Sequence, residues 1–358
     1  MQALLTYCPE NEYYLYFKRG HVPKLNFSGK YTVREVDIPY FMWRTPMFTR
    51  VLERDGIDVF HSTAYTVPLV PRRLRRVALV STFHGLHSEY FRWPPKEAVY
   101  SVANYRSAAK FADRIICVSD TLRHEIHEKY GKPLGEMDLT YLGIDERMRP
   151  LAGQERKRAA RHIKDKYRLC GEDFIVYVGG GMARNKNLKT ILEAWSLLKG
   201  KYSLGVPLVA TRIDTSKLRG TFRRLGLVDG KDVIGLKWMD GADLPLLYAC
   251  AAICVYPSIY EGLGWPVLEA MRSGTPVITS KVSTMPEAAG GAGILVESPM
   301  DAEEWARRIF SLYSDRRLRA RLTKLGISRA KGFTWEKGAK ETIKSYRKAI
   351  AQLKRSRA

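Results

Sequence analysis

Two glutamates, Glu261 and Glu269, stand eight positions apart in YEGLGWPVLEAMRSGTPVI, the run from Tyr260 to Ile278. Carboxylates are costly to desolvate and glycines weaken regular structure, so two acids around a Gly-Leu-Gly-Trp-Pro turn need a reason. The preceding ICVYPSIY reads as a strand that leaves its sheet at Pro257-Ser258. Glu261 then falls in a loop, and Pro266 suits the first position of the following helix. Glu269 falls in that helix's first turn, where its charge complements the dipole. The backbone N–H groups of Gly262, Leu263 and Gly264 lie between the acids. Carboxylate acceptors for hydroxyls beside amide donors for an anion match the two faces of a sugar nucleotide. Three other tasks suit the same pair: stabilising the helix, holding a metal, or acid/base work in a hydrolase. No DxD pair occurs in the chain, so the usual magnesium-bridged sugar-nucleotide site is not signalled.

A second stretch, YVGGGMARNKNLKTILEAW, runs from an apolar strand into Gly179, Gly180 and Gly181, then Arg184 and Lys186, then a helix from near Asn187. Glycines admit backbone amides close to an anion, a helix N-terminus adds positive potential, and the two cations supply charge-assisted bonds. The outline is that of a phosphate site. It is neither a P-loop, lacking GxxxxGK[ST], nor a GxGxxG turn, and an ordinary strand-to-helix turn with surface cations has the same composition. His84 and His87, in STFHGLHSEYF, follow another strand; isolated histidines of this kind more often pack or face solvent.

These residues need strands to present them. Short β-branched and aromatic runs alternate with amphipathic ones, the pattern of βαβ units and parallel sheets. Expected strands are EYYLYFKR, VREVDI, IDVFHS, VALVSTFHG and RIICVSD. After a pause at YLGIDERMRPLAGQ they resume with FIVYVGGG, VPLVATRI, DVIGLKW, AAICVYPS, TPVITS and AGILVES. Ser119 or Asp120 is the expected cap of the helix after RIICVSD. The pause near residues 150–170 divides two successive doubly wound domains, with ligands expected at the carboxyl ends of the strands.

Composition sets outer bounds. A chain of 358 residues with a 45% apolar and 11% aromatic fraction has the make-up of two ordinary globular domains. No apolar run reaches the roughly 18–20 residues of a membrane span, and the start lacks the pattern of a signal peptide. Five scattered cysteines (Cys8, Cys117, Cys170, Cys250, Cys254) suit a reduced, cytosolic protein; Cys250 and Cys254 could share a helix face, a weak metal signature. The net charge of +23, with basic clusters at Arg72–Arg76, Glu155–Arg168 and the C-terminal region, suits an anionic partner (nucleic acid, an anionic membrane surface or phosphorylated substrates) and equally suits a merely solvated or heat-adapted surface. No zinc-finger spacing, RNP-like strand or basic zipper accompanies the charge, so nucleic acid is not the expected partner.

PSIYEGLGWPVLEAMRSGTPVITSKVSTMPEAAGGAGILVES resembles the donor-site signature of the retaining glycosyltransferases of family 4, of GT-B fold. YVGGGMARNKNLKTILEAW resembles that family's phosphate-contacting turn, FADRIICVSDTLRHEI and YLGIDERMRP its N-domain finish, and FTWEKGAKETIKSYRKAI its last helix. The resemblance implies two Rossmann-like domains facing a central cleft: residues 1–160 on the acceptor side, 161–335 holding the nucleotide sugar, and 336–358 a basic helix returning toward the first. It implies a metal-independent, cofactor-free hexosyltransferase that moves a mannose- or glucose-like sugar from a nucleoside-diphosphate donor to a glycan or lipid-phosphate-linked acceptor. The expected place is the cytoplasm, with peripheral attachment to the anionic inner face of the membrane. Donor contacts carry over to Gly180, Arg184, Lys186, Glu261, Gly262, Leu263, Gly264 and Glu269, and catalytic roles to His84, Arg184, Lys186 and Glu261. Glu261 is expected to meet sugar hydroxyls, Glu269 the ribose, and Arg184 and Lys186 the departing diphosphate, with base selection near Leu236 to Met239. The ARNKN turn is one residue wider than the commoner form, and Leu142 stands where the family has Asn. The family's opening strand, glycine-rich loop and helix are not matched, a difference of on the order of 25–35 residues. A weakly catalytic sugar-nucleotide or glycan-binding protein is the alternative expectation.

Overall fold

A computed structural model describes residues 1–63, 65–91, 95–169, 171, 173–179 and 181–357. The chain divides into two compact units, Met1–Gly143 with Phe333–Ala358, and Ile144–Gly332. Every strand pair in both is parallel.

The first unit carries β1 (Tyr14–Lys18), β2 (Thr32–Val36), β3 (Val59–Ser62), β4 (Ala78–Phe83), β5 (Arg114–Cys117) and β6 (Met137–Leu139). They form two hydrogen-bonded groups, β1-β2 and β3-β4-β5-β6. Phe48, on the helix Pro46–Arg54, meets both: its ring lies edge-on to Tyr16 of β1 and to Phe60 of β3. β4 and β5 are buried along their whole length, as parallel strands covered on both faces must be. One cover is the helix Trp335–Arg355 from the far end of the sequence, whose Ala349 and Leu353 pack on Ala78, Val80 and Ile116. The basic run from Arg72 is only partly a surface feature. The Arg75 side chain is fully buried and pairs with Asp113 at 2.6 Å, and Arg72 reaches the same carboxylate at 2.6 Å.

The second unit holds one six-stranded sheet built from β7 (Ile175–Val178), β8 (Leu208–Thr211), β9 (Val233–Leu236), β10 (Ile253–Tyr256), β11 (Val277–Ser280) and β12 (Ile294–Val296). Its order is β12-β11-β10-β7-β8-β9. From β7 the chain first winds outward through β8 and β9, then returns to the other side of β7 with β10. β7 and β10 therefore flank the topological switch point, the place at which open α/β sheets bind their ligands. Trp195 and Ile191 of the helix Leu188–Gly200, and Trp305 and Ile309 of the helix Ala302–Ser314, fill the core on this sheet.

Local details follow the sequence with small departures. Ser119 caps the helix Asp120–Tyr130 by accepting the Leu122 amide at 3.2 Å, so of the two expected caps it is the serine that acts. Cys250 ends a helix while Cys254 lies in β10, so the two share no helix face. Among the described residues no helix is long and apolar enough to cross a membrane.

Candidate functional site

The loop leaving β7 includes Gly179, Gly181, a short 3-10 turn at Arg184–Lys186 and then the helix Leu188–Gly200. Gly180 lies outside the described residues. Asn187 joins turn to helix in the left-handed region, φ 53°, which asparagine tolerates better than most side chains. Its amide holds that geometry: Nδ2 donates to the Pro299 carbonyl at 2.6 Å, and Oδ1 accepts from Thr190 at 2.7 Å. The turn is therefore fixed before any ligand arrives.

The loop leaving β10 meets this turn through Asn185 and Lys186. Ile259 N–H and the Ser258 hydroxyl both donate to the Asn185 carbonyl, at 2.8 and 2.9 Å. Glu261 is the centre of the junction. Its Oε1 accepts from Lys186 Nζ at 2.5 Å, Ser258 Oγ at 2.7 Å, the Tyr256 hydroxyl at 2.8 Å and Asn185 Nδ2 at 3.3 Å. Lys186 Nζ also reaches the Tyr256 oxygen at 2.7 Å. The Glu261 main chain is held as well: its N–H donates to Ser283 Oγ, and its carbonyl accepts from Ser283 and Thr284. Burial, followed by the neighbouring Glu261 carboxylate, keeps the Tyr256 phenol far above its ordinary pKa, so it remains a proton donor. The result is a rigid, half-buried ion pair at the switch point.

Glu269 lies on the helix Trp265–Arg272, one residue further into it than expected, because Trp265 and not Pro266 is its first residue. The first turn accordingly contains no acid, and the dipole argument for Glu269 does not apply. Its Oε2 accepts the Tyr248 hydroxyl at 3.0 Å. Burial raises its pKa, partly offset by that hydrogen bond. Gly262, Leu263 and Gly264 are buried between the two acids. Gly264 must be glycine: φ is +81°, and a Cβ would stand 2.5 Å from the Met285 methyl.

Of the sequence-derived residues, the second unit thus brings Glu261 and Lys186 into direct contact and carries Arg184, Gly262, Leu263, Gly264 and Glu269 on the same two loops and helix. Arg184 is exposed and pairs with no carboxylate among the described residues. His84 belongs to the first unit, just beyond β4, where its N–H donates to the Tyr65 hydroxyl at 3.2 Å and desolvation lowers its pKa. Sequence reasoning missed Tyr256, Ser258, Asn185 and Tyr248. The two tyrosines sit in runs that read as apolar core, and the only available sign was a phenol in a buried strand or helix, which needs a polar partner.

Comparison with known proteins gives a consistent picture. Residues 172–315 match the profile of the glycosyl transferases group 1, and residues 7–147 that of Glycosyltransferase Family 4. The O-antigen chain mannosyltransferase B of Escherichia coli is 32% identical over 294 residues, which span 78% of this chain and 72% of that protein. Among solved structures, sucrose-phosphate synthase from Thermosynechococcus elongatus superposes with a TM-score of 0.73 at 20% identity, covering 98% of this chain and 92% of that one. HepE of Anabaena in complex with UDP-glucose superposes with a TM-score of 0.67 at 18% identity, covering 88% and 86%.

Proposed function

The chain belongs to glycosyltransferase family 4, as a hexosyltransferase of GT-B fold, and from that premise we propose that it transfers a mannose-like sugar, with retention of anomeric configuration and without a metal, from a nucleoside-diphosphate donor to a glycan or lipid-phosphate-linked acceptor. The observation that carries the proposal is the 2.5 Å pair between Lys186 Nζ and Glu261 Oε1 at the switch point of the second unit. In this reading Lys186 and Arg184 take the diphosphate, Glu261 the sugar hydroxyls and Glu269 the ribose. Amides near Gly262, Leu263 and Gly264 complete the donor site. The mannose assignment leans on the E. coli relative, whose name states that sugar.

The chemistry follows from charge. The bond from the anomeric carbon to the phosphate oxygen breaks as that carbon gains positive and the diphosphate negative charge. Fixed cations aimed at the diphosphate favour this transition state over the ground state, which removes the need for a metal bridge. The acceptor oxygen bonds to the anomeric carbon on the face the diphosphate leaves, and its proton passes to the departing phosphate oxygen. Glu261 positions the sugar and forms no covalent bond. His84 enters through its sequence context in the first unit.

Peripheral attachment of a cytoplasmic protein to an anionic membrane belongs to the same proposal. The first unit exposes Phe41 (69%), Leu74 (74%), Tyr40 and Met47, with Arg50, Arg73 and Arg76 also exposed. Wedge-like apolar residues with cations nearby suit a lipid surface at about 1 kcal/mol per well-placed cation.

The deciding experiment screens UDP-, GDP- and ADP-sugars for binding, hydrolysis and transfer, with NMR of the product's anomeric centre. Turnover with retention supports the proposal; inversion refutes the mechanism. Binding without turnover favours the weakly catalytic alternative, and no binding to any donor refutes both. Failure to sediment with anionic vesicles at low salt refutes the membrane part alone.

A further inference from the structure

β8 ends at Thr211, and the next residue, Arg212, adopts φ +57°. A side chain bearing a Cβ rarely takes this left-handed conformation, and holding it costs on the order of 1 kcal/mol. Glycine would take it without strain. Arg212 is exposed, although its neighbours Thr211 and Ile213 are buried, so core packing supplies no reason for arginine at this position.

Its surroundings supply one. In the β7–β8 ladder Val178 pairs with Thr211, so Arg212 leaves the sheet level with Gly179 at the start of the glycine turn. Gly181, itself at φ +85°, lies against it: a Cβ there would stand 3.7 Å from the Arg212 carbonyl. Along this edge Lys186 is paired with Glu261, and Lys237, just beyond β9, with Asp214 at 3.1 Å. Arg184, three residues beyond Gly181 in the same loop, and Arg212, whose carbonyl faces Gly181, pair with no carboxylate among the described residues. A strained, exposed, uncompensated arginine beside a glycine turn at a strand's carboxyl end fits an anion better than it fits the apo protein.

We propose that Arg212 is a further donor-binding residue, contacting the β-phosphate of the nucleoside diphosphate alongside Lys186. The proposal rests on the donor site described above and extends it by a residue that neither the two-glutamate motif nor the Arg184–Lys186 turn includes.

The test exploits the strain. Arg212→Gly relieves the backbone and removes the guanidinium, so its melting temperature is expected to equal or exceed that of the unaltered protein. Titration calorimetry with GDP, UDP and ADP identifies the tightest ligand, which is then compared with its monophosphate. Arg212→Gly is expected to bind the diphosphate at least 10-fold more weakly, with the monophosphate changed under 3-fold and Arg212→Lys intermediate. If Arg212→Gly binds the diphosphate normally while Lys186→Ala does not, Arg212 has no such role and the donor site stands. If both variants bind normally, the donor-site reading falls as well. Equal loss for diphosphate and monophosphate overturns the β-phosphate assignment.

Discussion

Lys186→Ala is expected to lower turnover about 100-fold, mainly in kcat, which is about 2.7 kcal/mol of transition-state stabilisation. The size follows from the setting. Lys186 and Glu261 retain only 17% and 12% of their side-chain exposure. Two unit charges 4 Å apart interact by about 4 kcal/mol at an effective dielectric of 20, and only part of the leaving-group charge develops at the transition state. The same substitution leaves Glu261 Oε1 with three uncharged donors, Tyr256, Ser258 and Asn185. Stranding that carboxylate should cost about 1–3 kcal/mol of stability. Lys186→Ala combined with Glu261→Gln removes the stranded charge and should recover most of the stability with none of the turnover. The assay is steady-state transfer or donor hydrolysis beside urea unfolding of the same preparations. Unchanged kcat in Lys186→Ala, or turnover that returns with stability in the double variant, would refute the assignment of Lys186 to the leaving group.

Other expectations follow from single side chains. Burial raises the Glu269 pKa, so the folded protein holds this proton more tightly than the unfolded chain, and ionised Glu269 costs stability above the ordinary glutamate range. Glu269→Gln should therefore raise the melting temperature at pH 7–8, with the gain vanishing near pH 4, while nucleotide affinity drops roughly 10-fold through the lost ribose contact. Asp243 behaves oppositely. Burial alone would raise its pKa, but hydrogen bonds from Lys166, Tyr167 and His162 hold it down at about 2. Its stabilisation is present above the ordinary aspartate range and is lost as pH falls from about 4 toward 2. Asp243→Asn should cost at most about 2 kcal/mol at pH 7, reduced by solvent screening of Lys166 and His162, and little at pH 2; urea unfolding across that range checks it. His84→Ala should reduce transfer at least 10-fold while leaving nucleoside-diphosphate affinity within about 2-fold; equal activity would remove His84 from the reaction.

Much of the architecture was legible because parallel strands advertise themselves. Apolar runs such as AAICVYPS and TPVITS contain β10 and β11, which are buried throughout. The three-residue β6 escaped notice, since Met137–Leu139 is too short and too mixed to show a period. Glu261, Lys186 and the glycines of their loops were legible through residue types that make little sense as core. What holds them was not. Tyr256 and Tyr248 look like filling in an apolar run, and only three-dimensional proximity turns their hydroxyls into partners of Glu261 and Glu269. Arg75 shows the converse: a residue that counts toward surface charge in the sequence is buried against Asp113, a pairing that spans two β-strand connections. Charge totals report composition, and burial decides which of those charges a partner can meet.

The helix Trp335–Arg355 has a consequence for how the protein is made. It covers β3, β4 and β5 and also meets the helix Gln2–Tyr7, yet it is synthesised only after the whole second unit. The second unit is continuous in sequence from Ile144 to Gly332 and can close its core as soon as that stretch has left the ribosome. The first unit cannot. Val80 and Ile116 must wait for Ala349 and Leu353, so one face of the β3–β6 sheet stays bare while the whole second unit is being made. The half made first is thus finished last. A nascent chain arrested before Phe333 would carry a folded second unit and an open first one, with the apolar face of β4 and β5 offered to a chaperone or to another chain.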